Sequence, residues 1–165
     1  IPLRSTFSLR SLYVVNKNMK ITICGSIAFF DEMLEIKKHL EELGHEVKLP
    51  PSEIAGEDGV AIPIKQYYKL RKAEKGDSGW IWDRKEEAMK RHFDKVVWSY
   101  AILVLNYTKN DIKNYVGANT FLEMGLAFHH KKKIYLLNEI PEISCKEEIL
   151  DMKPVVINND LTKIK

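Results

Sequence analysis

Short apolar runs along this chain alternate with longer stretches in which apolar residues recur every three or four positions. Lys20 to Cys24 is the first run and predicts a strand, left by a tight turn at Gly25-Ser26. Asp31 to Leu43 sets Met33, Leu34, Ile36, Leu40 and Leu43 among Glu and Lys, the pattern of an amphipathic helix stopped by Gly44. His45 to Leu49 predicts a short second strand that Pro50-Pro51 ends. Strand, helix and strand at this spacing predict a right-handed βαβ unit.

The pattern then loosens. Ser52 to Gly79 is broken by Gly56, Gly59 and Pro63 and made aromatic by Tyr67, Tyr68 and the nearby Trp80 and Trp82. It reads as a lid or a partner-contacting excursion, whose rings stack on a base or pack on the core. Helical spacing returns from Asp83 to Trp98, with Ala88, Met89, Phe93, Val96 and Val97 on one face. Ala101-Ile102-Leu103-Val104-Leu105 is uniformly apolar, as expected of a buried parallel strand, and a polar loop from Asn106 to Tyr115 follows it.

The next stretch, Gly117 to Ala127, predicts a helix capped by Asn119 or Thr120, and Thr120-x-x-Glu123 has capping-box spacing. Basic residues from His129 to Lys133 close it, favourably for the helix dipole. Lys133 to Asn138 predicts a strand, Pro141 a loop, Ser144 to Met152 a short helix and Pro154 to Ile157 a last strand. Five strands alternating with helices predict a three-layer α/β/α domain over residues 19–165, with a mainly parallel sheet of flavodoxin-like or Rossmann-like order.

That architecture gives two stretches a chemical meaning. Glu123 is predicted in the first turn of the helix after the central strand, at the edge where open α/β sheets bind ligands. The positive helix end there favours an ionised carboxylate. The structural alternative is a capping-box partner that only stabilises the helix. Gly25-Ser26 leaves a strand end whose backbone N–H groups suit an anion, or serves only the turn.

Ile23-Cys24-Gly25-Ser26-Ile27 and Glu123-Met124-Gly125-Leu126-Ala127 together resemble the nucleoside 2-deoxyribosyltransferase family and its deoxynucleoside 5′-monophosphate N-glycosidase relatives. The resemblance runs in element order from Lys20 to Ile164 and is close only at these two motifs. It implies cleavage or transfer at the N-glycosidic bond of a (deoxy)nucleoside or nucleotide, with Glu123 as the nucleophile. It also implies a substrate-binding set of Gly25, Ser26, Ile27, His92, Asp94, Asn106, Asn119 and Thr120, no cofactor and no metal. Family members complete their pockets with a neighbouring chain, so a homodimer or higher homo-oligomer is expected.

Several positions depart from the family. His92 stands where an Asp helps to bind the base, with Asp94 two residues on. Thr22 stands for a Tyr that orients the catalytic Glu, and Ala28 for the Arg of phosphate-binding relatives. The missing Arg predicts weak discrimination between nucleosides and their 5′-monophosphates. These losses also fit a non-catalytic nucleotide-binding module on the same fold. A dinucleotide-binding dehydrogenase is disfavoured, because Gly25 does not open a G-x-G-x-x-G pattern. Cys24 as a nucleophile is the weaker alternative, with no His near it in sequence.

Composition adds little except at the front. The formal charge is +3, and residues 1–18, with Arg4, Arg10, Lys17 and no acid, carry all of it. The remainder is neutral, so no basic patch argues for nucleic acid. No apolar run approaches membrane-spanning length. Cys24 and Cys145 have neither pair nor metal spacing and suit a reducing cytoplasm. Ile1 to Asn18 reads as a leader or an added extension ahead of a natural start at Met19. A chain beginning at Met19 is expected to melt within a few degrees of the full one; a fall of many degrees would show that the extension packs on the fold.

Overall fold

The computed structural model describes residues 18–165, so the expectation for the extension lies outside the described residues except at Asn18. The chain runs β1 (Lys20–Gly25), α1 (Phe30–Glu42), β2 (Glu46–Lys48), β3 (Glu53–Ala55), β4 (Ala61–Pro63), α2 (Ile64–Ala73) and α3 (Trp80–Trp98). It continues through β5 (Ala101–Leu105), α4 (Ala118–His129), β6 (Lys133–Leu136), α5 (Lys146–Asp151) and β7 (Val155–Val156). Five strands form one sheet in the order β2-β1-β5-β6-β7, and every pairing in it is parallel. This is the flavodoxin-like arrangement, with its switch point between β1 and β5.

Alternation along the strands divides the core between two faces. Ile21, Ile23, Leu103, Leu105 and Tyr135 pack with Met33 and Leu40 of α1 and with Ile64, Tyr67 and Ile81. Cys24, Ile102, Val104 and Leu136 pack on the other face with Val96 of α3, Met124 and Ala127 of α4, and Ile149 of α5. All five residues of β5 are buried, which explains its lack of polar alternation. The α3 helix is tied to the sheet by the Thr22 hydroxyl, which donates to the Lys95 carbonyl at 2.7 Å, and by Lys95 Nζ, which donates to the Leu49 carbonyl at 2.7 Å.

Three expectations are corrected. Residues 52–79 are more regular than their breakers suggest, because they hold the antiparallel β3–β4 hairpin and α2. Pro63 is the N-cap of α2, where its fixed φ of −57° costs nothing and no donor is lost from the helix. Trp80 and Trp82 belong to α3, which begins at Trp80 instead of Asp83. The capping box of α4 does not form: the N-cap is Gly117, without a side-chain cap bond, and Glu123 therefore lies in the second turn.

The end of α1 follows the sequence closely. Gly44 adopts φ +92°, its N–H donates to the Glu41 carbonyl, and the His45 N–H donates to the Leu40 carbonyl. This double bond pattern is the Schellman motif. A Cβ at residue 44 would also lie 2.9 Å from Asn18 Oδ1. Gly44→Ala should therefore destabilise the fold by about 1–2 kcal/mol through left-handed backbone strain. Urea unfolding measures it, and an unchanged midpoint would refute the assignment.

Candidate active site

At the carboxyl ends of β1 and β5 the chain leaves a cavity of about 540 Å³, walled by the β1 turn, α2, α3 and the start of α4. Its size suits a small organic ligand. Gly25 lets the turn close against β5: a side chain there would meet the Leu105 carbonyl at 3.1 Å and Met33 Cε at 3.2 Å. Ser26 then starts a short 3-10 turn, and its Oγ accepts from the Ala28 N–H.

The structure brings Gly25, Ser26, Ile27, His92, Asn119, Thr120 and Glu123 to the walls of this cavity. Two expected contacts are elsewhere. Asp94 is exposed on α3 and does not line the cavity. Asn106 is buried but clamps the loops after β5 and β6: its Nδ2 donates to the carbonyls of Asn138 and Glu139, and its Oδ1 accepts from the Asn138 N–H. Thr22 does not orient Glu123 either, because its hydroxyl is bonded to α3.

Glu123 is almost fully buried. Its Oε1 accepts from Asn119 Nδ2 at 2.8 Å, and Asn119 Oδ1 accepts from Lys85 Nζ at 2.9 Å. Burial pushes the carboxyl up to about 7, against the opposing influence of Cys24, Lys85 and Asn119. Burial and the cationic Arg71 lower Lys85 to about 8, with Glu123 pulling the other way. His92 Nε2 lies 3.8 Å from Glu123 Oε1, but burial, with Lys95 nearby, drops the imidazole to about 3. The two are therefore neighbours without being an ion pair near neutral pH.

Cys24 was set aside because no His is near it in sequence. In space, His92 Nε2 stands 3.7 Å from its Sγ. Burial first, and then the Glu123 carboxylate, raise the thiol well above its usual range, and Cys24 does not line the cavity. A thiol in that state is a poor nucleophile.

The cavity is otherwise cationic. Lys109 Nζ donates to Ser26 Oγ at 2.7 Å and to the Tyr68 hydroxyl at 2.9 Å, and it lies over the rings of Tyr68 and Tyr115. Arg71 and Lys72 of α2 complete this wall. Burial alone would raise the Tyr68 phenol, yet the bond from Lys109 and the charges of Lys109 and Lys72 outweigh it and lower the pKa. None of these cations was legible beforehand. The aromatic character of residues 67 and 68 was the one available signal, and the helix that carries Arg71 and Lys72 was missed.

Solved structures similar to this chain include two whose names are informative. The 2-deoxyribosyltransferase of Bacillus psychrosaccharolyticus is 14% identical, with a TM-score of 0.43 over 70% of this chain and 69% of that one. The CMP N-glycosidase of Clostridium botulinum is 18% identical, with a TM-score of 0.42 over 84% and 86%. No protein-family model and no curated protein matches the chain. At such identities the activity has to be argued from the site's own residues.

Glu123 makes a signed prediction. Its folded pKa of about 7 exceeds its ordinary 4.5, so the native state holds the proton more tightly than the unfolded chain. Its stabilising contribution is full below about pH 4.5 and is lost as pH rises to about 7, a change of about 3 kcal/mol. Glu123→Gln removes that titration. Melting temperatures of the two proteins should therefore diverge across this window, the wild type losing ground as pH rises. Parallel curves would refute the raised pKa.

Proposed function

We propose that this chain cleaves or transfers at the N-glycosidic bond of a nucleotide, with Glu123 as the nucleophile. The observation that carries the reading is that, among the described residues, one buried carboxylate at the sheet's switch point shares a ligand-sized cavity with cationic and aromatic side chains. Ionised Glu123 attacks the anomeric carbon from one face of the sugar and forms a glycosyl ester as the bond to the base breaks. Water or a second base then takes the sugar. Asn119 fixes the carboxylate through Oε1, and Lys85, held on Asn119, is a proton source of suitable pKa for the departing base. His92, neutral near pH 7, serves the base through hydrogen bonding instead of proton donation.

The phosphate expectation changes. Ala28 supplies no cation, but Lys109, Arg71 and Lys72 do, from elements whose role the sequence hid. Lys65 and Arg84, the other cations near these elements in sequence, do not line the cavity; Lys65 pairs with Asp31 and Arg84 with Glu87. The reading is therefore a phosphorylated substrate, with Ser26, Tyr68 and Lys109 at its anionic end. A homodimer is part of the proposal, on a changed surface. Tyr67 is buried, and Trp80 and Trp82 are partly covered within the chain, whereas Leu122 and Phe128 of α4 are each 53% exposed. Leu122 also lines the cavity, so a second copy seated on α4 would close its open side. Among the described residues no helix is long and apolar enough to cross a membrane.

Base release from a panel of nucleosides and 5′-monophosphates, followed by chromatography, tests the chemistry. Glu123→Gln should lose turnover by ~10³-fold or more while remaining folded. Full activity in that variant would sink the proposal, and silence of the wild type across the panel would favour a non-catalytic nucleotide-binding module. Lys109→Gln should raise KM for monophosphates by ~10–100-fold, the loss of one charged hydrogen bond, and leave nucleosides nearly unaffected. Equal effects on both would remove Lys109 from the phosphate. Light scattering should show a dimer that Phe128→Glu dissociates; a wild-type monomer at micromolar concentration would refute the assembly.

A further inference from the structure

Three side chains that the sequence keeps far apart meet where β1, α3 and α4 converge. Cys24 at the end of β1, His92 in α3 and Glu123 in α4 each offer one donor atom, and the three atoms lie within 4.8 Å of one another. The Sγ to Nε2 separation is 3.7 Å and the Nε2 to Oε1 separation 3.8 Å. A tetrahedral zinc ion with ordinary bond lengths needs about 3.6 Å between sulfur and nitrogen and about 3.4 Å between nitrogen and oxygen. The two separations made by Nε2 are within a few tenths of an ångström of these values, and the third, from sulfur to the carboxylate, is at most 4.8 Å, so that Cys24 and Glu123 would close on the ion by up to about 1 Å.

The polar atoms here are also incompletely satisfied. Glu123 Oε2 is buried and without a hydrogen-bond partner. His92 Nδ1 makes no well-formed hydrogen bond, although the Ile23 backbone is among its polar neighbours. Buried polar groups without partners are uncommon and call for a ligand or a cost. A second-layer contact exists already, since Asn119 holds the carboxylate by Oε1. His92 and Glu123 also line the cavity, so an ion could reach them from it.

We propose that Cys24, His92 and Glu123 form a site for a divalent transition ion of the zinc class, and that the ion, once bound, inhibits by occupying the carboxylate. One thiolate, one imidazole and one carboxylate suit a borderline-soft ion and disfavour magnesium or calcium, which take oxygen ligands. Coordination displaces the thiol proton, and the carboxyl proton where it is carried, to solvent. The ion's two positive charges then balance the thiolate and carboxylate, so the buried cluster stays neutral overall. Lys85 is the opposing charge, and it is held on Asn119 Oδ1 instead of on the carboxylate. The inhibitory half rests on Glu123 acting as the nucleophile; the binding half does not.

The experiment uses the full chain after chelator treatment. Cobalt titration should give the visible absorption of a tetrahedral ion and a thiolate-to-cobalt charge-transfer band at one equivalent, and zinc should abolish both. Competition against a chromophoric chelator should show zinc bound at least ~100-fold more tightly by the wild type than by Cys24→Ser or Glu123→Gln, with circular dichroism confirming the fold. Glu123→Gln preserves shape and keeps the test decisive if the cysteine variant fails to fold. Weak zinc binding, no charge-transfer band, or affinity unchanged in both variants would overturn the site and place the metal on surface groups such as His129 and His130. Base release should fall with zinc and recover with chelator. Binding with unaffected turnover would overturn the inhibition alone, and binding by a protein inactive on every substrate would count against the glycosidic chemistry while leaving the metal site standing.

Discussion

The pairing of β1 with β5 is the constraint on which the rest depends. Its register, from Ile21 opposite Ala101 to Gly25 opposite Leu105, brings two segments about eighty residues apart to a common end. One strand leaves that end through Gly25-Ser26, the other through the loop that leads to α4. A slip of one residue would turn Cys24 to the opposite face of the sheet and destroy both the core packing and the cluster at Glu123. The close approach of residue 25 to the Leu105 carbonyl explains why glycine ends β1: any side chain would hold the two strand ends apart.

Burial of a carboxylate at that point sets two demands against each other. Desolvation favours the protonated acid, whereas the proposed attack on an anomeric carbon requires the anion. The fold compromises with a single direct bond from Asn119 and an indirect link to Lys85, and the pKa settles close to neutrality. A direct lysine–carboxylate pair would have held Glu123 ionised more firmly. Standing in the second turn of α4, Glu123 lies beyond the helix's free N–H groups, so the dipole contributes less than a first-turn position would have given.

What the sequence revealed and what it hid follow a physical division. Periodicity is local, so β1, α1, β5 and the course of α4 were legible, as was the stop at Gly44. The positions of Gly25-Ser26 and Glu123 at the carboxyl ends of the central strands followed from the alternation of strand and helix. The α2 helix was missed because Pro63 and the glycines before it read as breakers, while proline at a helix start is harmless. The capping box at Thr120 failed because Gly117 already starts the helix one turn earlier. Asp94 and Asn106 were implied only by the family resemblance, which cannot see that one faces solvent and the other bridges two loops. The Cys24–His92 approach is tertiary and has no sequence signal at all.

The charge distribution in the cavity gives these pieces a direction. Among the described residues lining it, Arg71, Lys72, Lys85 and Lys109 face one acid, Glu123. Lys85 carries the cost: burial first, and then the cationic Arg71, lower its pKa to about 8. Such an arrangement is costly for the folded protein alone and becomes favourable when an anion enters. Lys109 is restrained on two hydroxyls and between two aromatic rings, so little of its freedom remains to be lost on binding. An anion entering the cavity would meet groups already in place, and its charge would offset the repulsion among them, a source of affinity that no single contact conveys.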